Sequence, residues 1–577
     1  MIVGTVTKLG IVKLGLILLV VVHGFASAQS QWWMGDPRRQ VNQQGISPPA
    51  SVAAQSAASS QALRTRLSNF SGTVPMVPTT PTRSVFSPRP TNTSIEAMRR
   101  AVARDPNNPE VWINLGQAYL EGSRNEDARS SFLEAIAIDY RAADAHFGLG
   151  LSEYVMGDFQ AALFSFNELA RLFPERFDGH FNKGVALTRL RNFEEGEAAF
   201  AEAILQADPE ASPEDVISAH LGRASLLKEL ERYDEAANEY AAAVEIVNTL
   251  GGDDTELVFL YSDAMFRAGL GLEVLADLVD IEAVTDDYRV STLIADIYTF
   301  EQRTDYAERF LERARRRAIE TGDTRAQASV LVKLGLLQRD LGREGQAIQA
   351  FVQAAQNDPN SWEAAYNLGL AYLENGQTQD ALAALERALV ANPESAEIYL
   401  ALATSYDRLN RPDDARVTAT AAISRLTDPL LRSEAEFILG RSLYRLGDNE
   451  GAISVLEVVV ADQPDNAQAQ LWAGLAEYAR GDFIAAAQYY ERAVQLDPTG
   501  LEARINLGAA YLASENYADA ELVYQLIIQD NPNDAESYFN LGWALLSQSR
   551  PQEARDAWEI AQSLGYAPAQ SALSEYF

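Results

Sequence analysis

Cysteine is missing from all 577 residues of this chain. Its absence excludes disulfide bonds, thiol catalysis, cysteine-ligated zinc and a lipidated N-terminal cysteine. Histidine is scarce as well, with only 4 in the sequence, and no phosphate-binding loop, G-x-S-x-G elbow or H-E-x-x-H helix occurs. The sequence therefore favours a protein that is not an enzyme and that holds no metal or cofactor.

The chain has far fewer basic residues than acidic ones. The chain has 47 Lys and Arg against 81 Asp and Glu, a formal net charge of -34. Affinity for nucleic acid depends largely on Lys and Arg that neutralise phosphates, so we expect no nucleic-acid partner. An acidic surface favours a basic or at least non-acidic protein partner, whose association slows as salt rises.

Long apolar runs are also rare, and the one near the N-terminus has the features of an export signal. Lys8 and Lys13 precede an apolar stretch over 14–22, and Ala26-Ser27-Ala28 follows it. This is the order of a secretory signal peptide, and the stretch is shorter than the roughly twenty residues of a membrane span. We predict cleavage after Ala28 and export to the periplasm or the medium, with an uncleaved membrane anchor as the alternative. No later segment reaches membrane-spanning length and apolarity, so the mature chain is not expected to span a membrane.

Residues 29–94 are rich in Gln, Ser, Ala, Pro and Thr and show no sustained apolar period. This composition predicts a disordered linker. It carries a single acid, Asp36, and six arginines, which are Arg38, Arg39, Arg64, Arg66, Arg83 and Arg89. The arginines either serve solubility alone or let the linker touch an anionic surface, such as the acidic remainder of the chain.

From Ile95 onward the sequence repeats itself with a period of 34 residues. The interval separates small residues in three runs, Gly116, Gly150 and Gly184, then Gly335, Gly369 and Ala403, then Gly474, Gly508 and Gly542. Internal repeats of this length are typical of solenoids, in which each unit buries its apolar face only by stacking on its neighbours.

The pattern resembles the tetratricopeptide repeat family, whose signature is W-x-x-L-G-x-x-Y followed by Ala, Phe and Pro. The best match consists of Trp112, Leu115, Gly116, Tyr119, Ala128, Phe132 and Ala135. The resemblance covers roughly residues 95–570. It implies an all-α fold, an α-solenoid that forms a right-handed superhelix of about 13 helix-turn-helix repeats, and a role in binding other proteins or peptides.

The unit over 501–534 shows why these residue types recur. Gly508 and Ala520 are small where the two helices of the unit approach each other, while Tyr511 and Tyr524 fill the gaps beside them. Pro532 then ends the second helix.

The repeat is irregular in the middle of the chain. We divide it into an N-terminal array over 95–250, a degenerate region or hinge over 251–326, a C-terminal array over 327–568 and a capping helix over 569–577. Gly251 and Gly252 with the two following aspartates predict a loop. In the degenerate region Ala307 and Ala314 still indicate one helix pair.

Three histidines fall four residues before the small residue of successive repeats, at His146, His180 and His220. A metal site or a pH switch is one reading. Equivalent residues of packed repeats lie about 8–10 Å apart or more, too far for one metal with bonds near 2 Å. Because Trp112 and Tyr538 take the same position elsewhere, we expect a packing role.

A second apolar stripe on the first helix of each repeat predicts a binding groove. Asparagines recur beside it, and their amides can both donate to and accept from a peptide backbone. The candidate protein-binding residues are Asn114, Phe147, Phe181, Asn182, Tyr366, Asn367, Phe437, Trp472, Asn506, Phe539, Asn540 and Trp543. Packing between repeats would explain many of them equally well.

The sequence thus predicts an exported scaffold or adaptor that holds a protein or peptide segment in a concave groove. The alternative is a structural or assembly protein that acts by self-association, as a homo-oligomer, or by tethering envelope components.

Overall fold

The computed structural model describes residues 92–208, 212–249 and 255–577, and within these ranges every regular element is an α-helix. The predicted signal peptide, most of the predicted linker and the loop at 251–254 lie outside the described residues. The described residues fall into two compact units, 92–321 and 322–577. The all-α solenoid is confirmed, while the handedness of its superhelix and the hinge stay predictions.

The N-terminal unit, residues 92–321, contains one single helix and six helix pairs. The helices are α1 (Asn92–Arg104), α2 (Pro109–Glu121), α3 (Asn125–Ile138), α4 (Ala143–Val155), α5 (Phe159–Leu172), α6 (Phe177–Arg189), α7 (Phe193–Gln206), α8 (Pro213–Glu229), α9 (Tyr233–Thr249), α10 (Thr255–Arg267), α11 (Gly271–Glu282), α12 (Tyr288–Phe300) and α13 (Thr304–Glu320).

The C-terminal unit, residues 322–577, contains seven pairs and a last single helix. The helices are α14 (Thr324–Asp340), α15 (Glu344–Asn357), α16 (Trp362–Glu374), α17 (Thr378–Ala391), α18 (Ala396–Arg408), α19 (Pro412–Ile423), α20 (Pro429–Arg445), α21 (Asn449–Asp462), α22 (Ala467–Arg480), α23 (Phe483–Leu496), α24 (Leu501–Ala513), α25 (Tyr517–Asp530), α26 (Ala535–Ser547), α27 (Pro551–Ser563) and α28 (Ala567–Tyr576). The pairs α2–α3 to α26–α27 are thirteen repeats, in agreement with the predicted number, and the last helix lies where a capping helix was predicted.

Helix ends follow from local residue chemistry. Ser361 and Ser395 accept hydrogen bonds from the backbone N–H groups of Ala364 and Ile398 and so cap α16 and α18. Pro412 opens α19, where its missing N–H costs no hydrogen bond.

The turn inside a pair needs one residue in the left-handed region of backbone space. Gly481 takes this position in the turn between α22 and α23, with a φ of 96°. Asn410 takes the equivalent position between α18 and α19, with a φ of 54°. Glycine adopts this conformation at least cost, and it also takes the position at Gly342, Gly376 and Gly447.

In repeats such as α2–α3 and α24–α25, the core joins a small residue of the first helix to a large residue sixteen positions later on the second. A Cβ added to Gly508 would lie 2.6 Å from the Tyr524 ring, and one added to Gly116 would lie 2.7 Å from Phe132. Tyr524 and Phe132 are both fully buried. The predicted small-to-large packing is thereby confirmed, because only glycine lets these rings lie against the first-helix backbone.

The degenerate region contains two helix pairs. They are α10–α11 and α12–α13, and Ala307 and Ala314 are both fully buried on α13. The helix pair indicated by these alanines is therefore present, and a further pair precedes it.

Within the described ranges, none of the helices combines the length and the apolarity that a crossing of the lipid bilayer requires.

Candidate protein-binding site

All the candidate residues lie on first helices of repeats. Within the C-terminal unit each first helix from α14 to α26 contacts the next first helix. Their exposed side chains therefore form one surface, here called the first-helix face. The candidates are Asn114 on α2, Phe147 on α4, Phe181 and Asn182 on α6, Tyr366 and Asn367 on α16, Phe437 on α20, Trp472 on α22, Asn506 on α24, and Phe539, Asn540 and Trp543 on α26.

Three of the candidate aromatic residues belong to the core. Phe147, Phe181 and Tyr366 are buried. The Phe181 ring stacks on Phe177 at 5.2 Å between centroids and meets the Phe200 ring edge-on at 5.4 Å. These three side chains therefore match the alternative interpretation, in which the apolar residues pack between repeats and do not line a groove.

The other four aromatic candidates keep part of their surface exposed. Phe437, Trp472, Phe539 and Trp543 are half-buried, and all lie in the C-terminal unit. Trp543 is supported from below by Trp558, whose ring centroid is 5.1 Å away. Half-exposed aromatic rings held by a packed core can contact a ligand at little cost in side-chain entropy.

Two arginines hold Trp472 in place. The guanidinium carbons of Arg441 and Arg445 lie 4.8 Å and 5.3 Å from the centre of the Trp472 rings. Both arginines form ion pairs with Asp407, at 3.2 Å and 2.5 Å. Burial lowers the pKa of Arg441, and the Asp407 carboxylate opposes this shift. The surroundings of Trp472 are thus locally basic in a strongly acidic protein.

Sequence reasoning missed this arrangement around Trp472. Asp407, Arg441 and Trp472 come from three successive repeats, α18, α20 and α22. In the sequence, the one signal for this arrangement would have been charged residues that recur at the repeat positions taken by predicted groove residues. That signal is weak, because most charged residues of such a helix face solvent.

The asparagines do not form one continuous ladder. Asn182 and Asn367 are buried, and each amide nitrogen donates to a carbonyl of its own helix, at Asp178 and Glu363, over 2.8 Å. Asn114 is exposed, whereas Asn506 and Asn540 are half-buried. A binding role remains a prediction, and only these last three offer exposed surface for it.

The histidines tie first helices to the turns before them. His146 Nε2 lies 2.9 Å from the carbonyl oxygen of Tyr140, and His180 Nε2 lies 2.9 Å from that of Pro174. Trp112 Nε1 makes the same contact with the carbonyl of Pro106 at 2.9 Å. The expected packing role is confirmed for these two histidines.

His220 differs from the other two, since its Nδ1 lies 2.6 Å from Glu239 Oε2. Across the described ranges, no three side chains of the metal-ligating types converge on one point.

One carboxyl group of the first-helix face has an unusual pKa. Glu434 on α20 is half-buried, and this burial raises its pKa to about 7 while the Arg408 guanidinium opposes the shift. A carboxyl group that titrates near neutrality beside Phe437 makes this part of the face sensitive to pH.

Comparison with known proteins gives one family. Two family models, both described as tetratricopeptide repeat, match residues 92–146, 118–164, 147–212, 332–395, 366–428 and 437–500, and residues 477–541. No curated protein matches the chain.

Solved structures with a similar fold include three of different kinds. The anaphase-promoting complex hetero-tetramer Cut9–Hcn1 is 15% identical, with 84% of this chain and 99% of that chain covered and a TM-score of 0.36. YrrB, a tetratricopeptide protein with an unusual peptide-binding site, is 23% identical, with 33% and 95% covered and a TM-score of 0.30. PilF of Pseudomonas aeruginosa is 21% identical, with 37% and 97% covered and a TM-score of 0.31.

Proposed function

The chain belongs to the tetratricopeptide repeat family, and on that premise we propose that it is an exported scaffold that holds a segment of another protein on the first-helix face of its C-terminal unit. Proteins built of such repeats are interaction scaffolds and are typically not catalytic. Its partners are accordingly proteins.

The observation that carries the proposal is the exposure of the first-helix aromatic residues. Phe437, Trp472, Phe539 and Trp543 remain half-exposed on three first helices of one unit, α20, α22 and α26. Aromatic side chains of this kind dominate the binding energy of protein interfaces, because they bury a large apolar area with few rotatable bonds. The formal charge of -34 favours a partner segment that is not acidic.

The test compares two variants, each of which truncates one apolar side chain on one of the two helices of a single repeat. Trp472→Ala changes the first helix α22, and Ile484→Ala changes the second helix α23, where Ile484 is 67% exposed. Partners are captured from extract of the source cells with the full chain as bait, and each is then titrated as a purified protein. We expect binding to be lost with Trp472→Ala and kept with Ile484→Ala.

Equal binding by both variants would place the partner on another surface. A chain that captures nothing but forms concentration-dependent oligomers in light scattering would favour the alternative role in self-association.

Export is a second part of the proposal and has its own test. It is supported by the two lysines, the apolar stretch over 14–22 and the Ala26-Ser27-Ala28 sequence. N-terminal sequencing of protein purified from its natural source should begin at Gln29. A protein that still begins at Met1 and sediments with membranes would instead support an N-terminal anchor.

A further inference from the structure

Helix α13 differs from the second helices of all the other repeats in its positive charge. It contains five arginines, whereas each of the other twelve second helices contains at most one Lys or Arg. Arg309, Arg313 and Arg316 are exposed, and their spacing of four and then three residues places them on one face of the helix. A chain with a formal charge of -34 thus concentrates positive charge on a single helix.

Two of these arginines line a cavity in the N-terminal unit. The cavity has a volume of about 290 Å³ and lies between the end of α11 and the second half of α13. Ligand pockets measure roughly 300–1,000 Å³, so this one has room for a group of about the size of one amino-acid residue. Its lining consists of Glu282, Ala283, Arg313, Arg316, Arg317 and Glu320.

The carboxylate of Glu282 is buried in this lining and holds two of the arginines. Its side chain is 6% exposed, with Oε1 3.0 Å from Arg317 Nη1 and Oε2 3.2 Å from Arg313 Nη1. Ser291 Oγ donates to the same Oε1 over 3.1 Å. Arg317 Nη2 donates to the backbone carbonyl oxygen of Glu282 over 2.7 Å. The charge of Glu282 and most donors of Arg317 are therefore used within the protein.

Arg313 and Arg316 keep donors for a ligand. Arg313 is 46% exposed and its ion pair with Glu282 uses one nitrogen, while its guanidinium carbon lies 4.7 Å from the centre of the Phe310 ring. Arg316 is exposed, and no ion pair reaches it in the part of the chain that the structure describes. Each guanidinium has five N–H donors in a planar fork whose geometry matches a carboxylate. Both side chains thus offer donors on the open side of the cavity.

We propose that this cavity binds one carboxylate group, carried either by a small organic acid or by an Asp or Glu side chain of a protein. Three arginines and two glutamates give the lining a formal charge of +1, which one carboxylate neutralises. The carboxylate oxygens of the ligand accept from Arg313 and Arg316, as those of Glu282 accept from Arg313 and Arg317. The site belongs to the N-terminal unit, so it does not depend on the function proposed for the first-helix face of the C-terminal unit.

Other charged groups fit the cavity less well. A phosphate monoester carries nearly two negative charges at neutral pH, which exceed the charge of the lining, and the Glu320 carboxylate repels the second. A cation attracted by Glu320 would be repelled by three arginines. Polyanions such as nucleic acid are repelled by the charge of the whole chain, which is -34. A single carboxylate therefore matches the site best.

Helix α23 supplies a control within the same molecule. Alignment of the buried alanines Ala307 and Ala486 places Arg492 at the position of Arg313, and both arginines are exposed. Three residues further on, α13 has Arg316 and α23 has a glutamine. A lone arginine at the same repeat position should not hold a carboxylate as two arginines do.

The test labels the arginines of the full chain with phenylglyoxal and measures each site by peptide mass spectrometry. The probe is glutamic acid with an acetylated amino group and an amidated α-carboxyl group, so that the side-chain carboxylate is its only charge. Its neutral isostere, the glutamine derivative, is the control. Two exposed arginines should bind the probe with a dissociation constant of about 1–10 mM. About 20 mM of it should then slow the labelling of Arg316 at least about threefold.

The glutamine derivative should leave the labelling of Arg316 unchanged, and neither compound should change that of Arg492. Arg313→Gln should abolish the protection of Arg316, whereas Arg492→Gln should leave it intact. Both substituted positions are exposed, so the melting temperatures should stay close to that of the parent chain. Arg316→Gln gives α13 the arrangement of α23 and should abolish the protection of Arg313.

Butyrate and inorganic phosphate, compared at equal ionic strength, identify the source of the carboxylate. Protection by butyrate as strong as by the glutamic acid derivative would assign the site to free organic acids. Protection by the glutamic acid derivative alone would assign it to a side chain of a protein. Equal protection by the glutamine derivative, stronger protection by phosphate, or no protection by either carboxylate would overturn the proposal.

Discussion

Phe181 and Phe437 occupy the same position of the repeat, three residues before the glycine of the first helix, yet their surroundings differ. In the N-terminal unit Phe181 is fully buried between Phe177 and Phe200. In the C-terminal unit Phe437 is half-buried, with the Arg441 guanidinium 5.4 Å from its ring. The same motif position therefore gives a fully buried residue in one repeat and a half-buried residue in another.

This difference separates what the motif decides within one helix from what the neighbouring repeats decide. The position in the repeat decides which face of the first helix a side chain takes, because helical periodicity is fixed. Whether that face is covered depends on residues of the neighbouring repeats. A ring covers Phe181, whereas an arginine that keeps contact with water lies beside Phe437.

The largest loss of stability that we expect comes from removing the ring of Phe181, which other aromatic rings cover. Phe181→Ala leaves a cavity among packed aromatic rings, so it should lower the free energy of unfolding by about 3–5 kcal/mol. Urea unfolding followed by far-ultraviolet circular dichroism measures this loss. A loss of unfolding free energy below about 1 kcal/mol would show that Phe181 is not packed as a core residue.

We expect a smaller loss of stability from a substitution at Gly222, where the glycine leaves space for the Phe200 ring. A Cβ added to Gly222 would lie 2.8 Å from Phe200, which also contacts Gly184. Gly222→Ala should therefore cost roughly 1–3 kcal/mol through overpacking. Gly345→Ala on α15 is the control, since a Cβ there meets open space, and it should be neutral or stabilising by up to about 1 kcal/mol.

The half-exposed region should respond to pH. The pKa of Glu434 is about 7 in the folded chain, against an ordinary value of 4.5. The folded state therefore binds more protons than the unfolded state between these values, and the ionised group lowers stability as pH rises through this window. Glu434→Gln should gain on the order of 1–2 kcal/mol over the parent chain above pH 7.

That gain from Glu434→Gln should shrink steadily toward pH 4.5. Thermal melting of both proteins from pH 5 to pH 8 gives the difference directly. A difference in stability that stays constant over this range would mean that Glu434 does not titrate within it.

The smallest effect on stability is expected at the exposed counterpart of Phe181. Phe437→Ala removes a half-buried ring and one arginine contact, so it should cost about 1 kcal/mol. The same urea titration measures it beside Phe181→Ala. Equal losses for the two alanine variants would show that Phe181 and Phe437 do not differ in how they are packed.

Repeat number and core packing could be predicted from the sequence because they depend on short spacings. The 34-residue period, the small residues such as Gly508 and the ring that follows sixteen positions later, such as Tyr524, belong to one helix pair. The histidine contacts could also be anticipated, since His146 reaches only to the turn that precedes its own helix.

The candidate site was predictable only in part. The sequence located the first-helix positions, but it did not separate buried Phe147 and Tyr366 from half-exposed Trp472. It gave no indication that Arg339 is buried without a hydrogen bond while Arg445 is paired. The burial and hydrogen bonding of these side chains depend on contacts between repeats, which no short sequence pattern predicts.

The sequence by itself determined that this chain forms helix pairs, how many there are and which residues join each pair, because these depend on contacts within about 34 positions. The tertiary structure decided which aromatic rings keep exposed surface and which charges find partners. Both depend on how closely side chains of successive first helices approach, and burial and hydrogen bonding change steeply over the few ångströms that separate them.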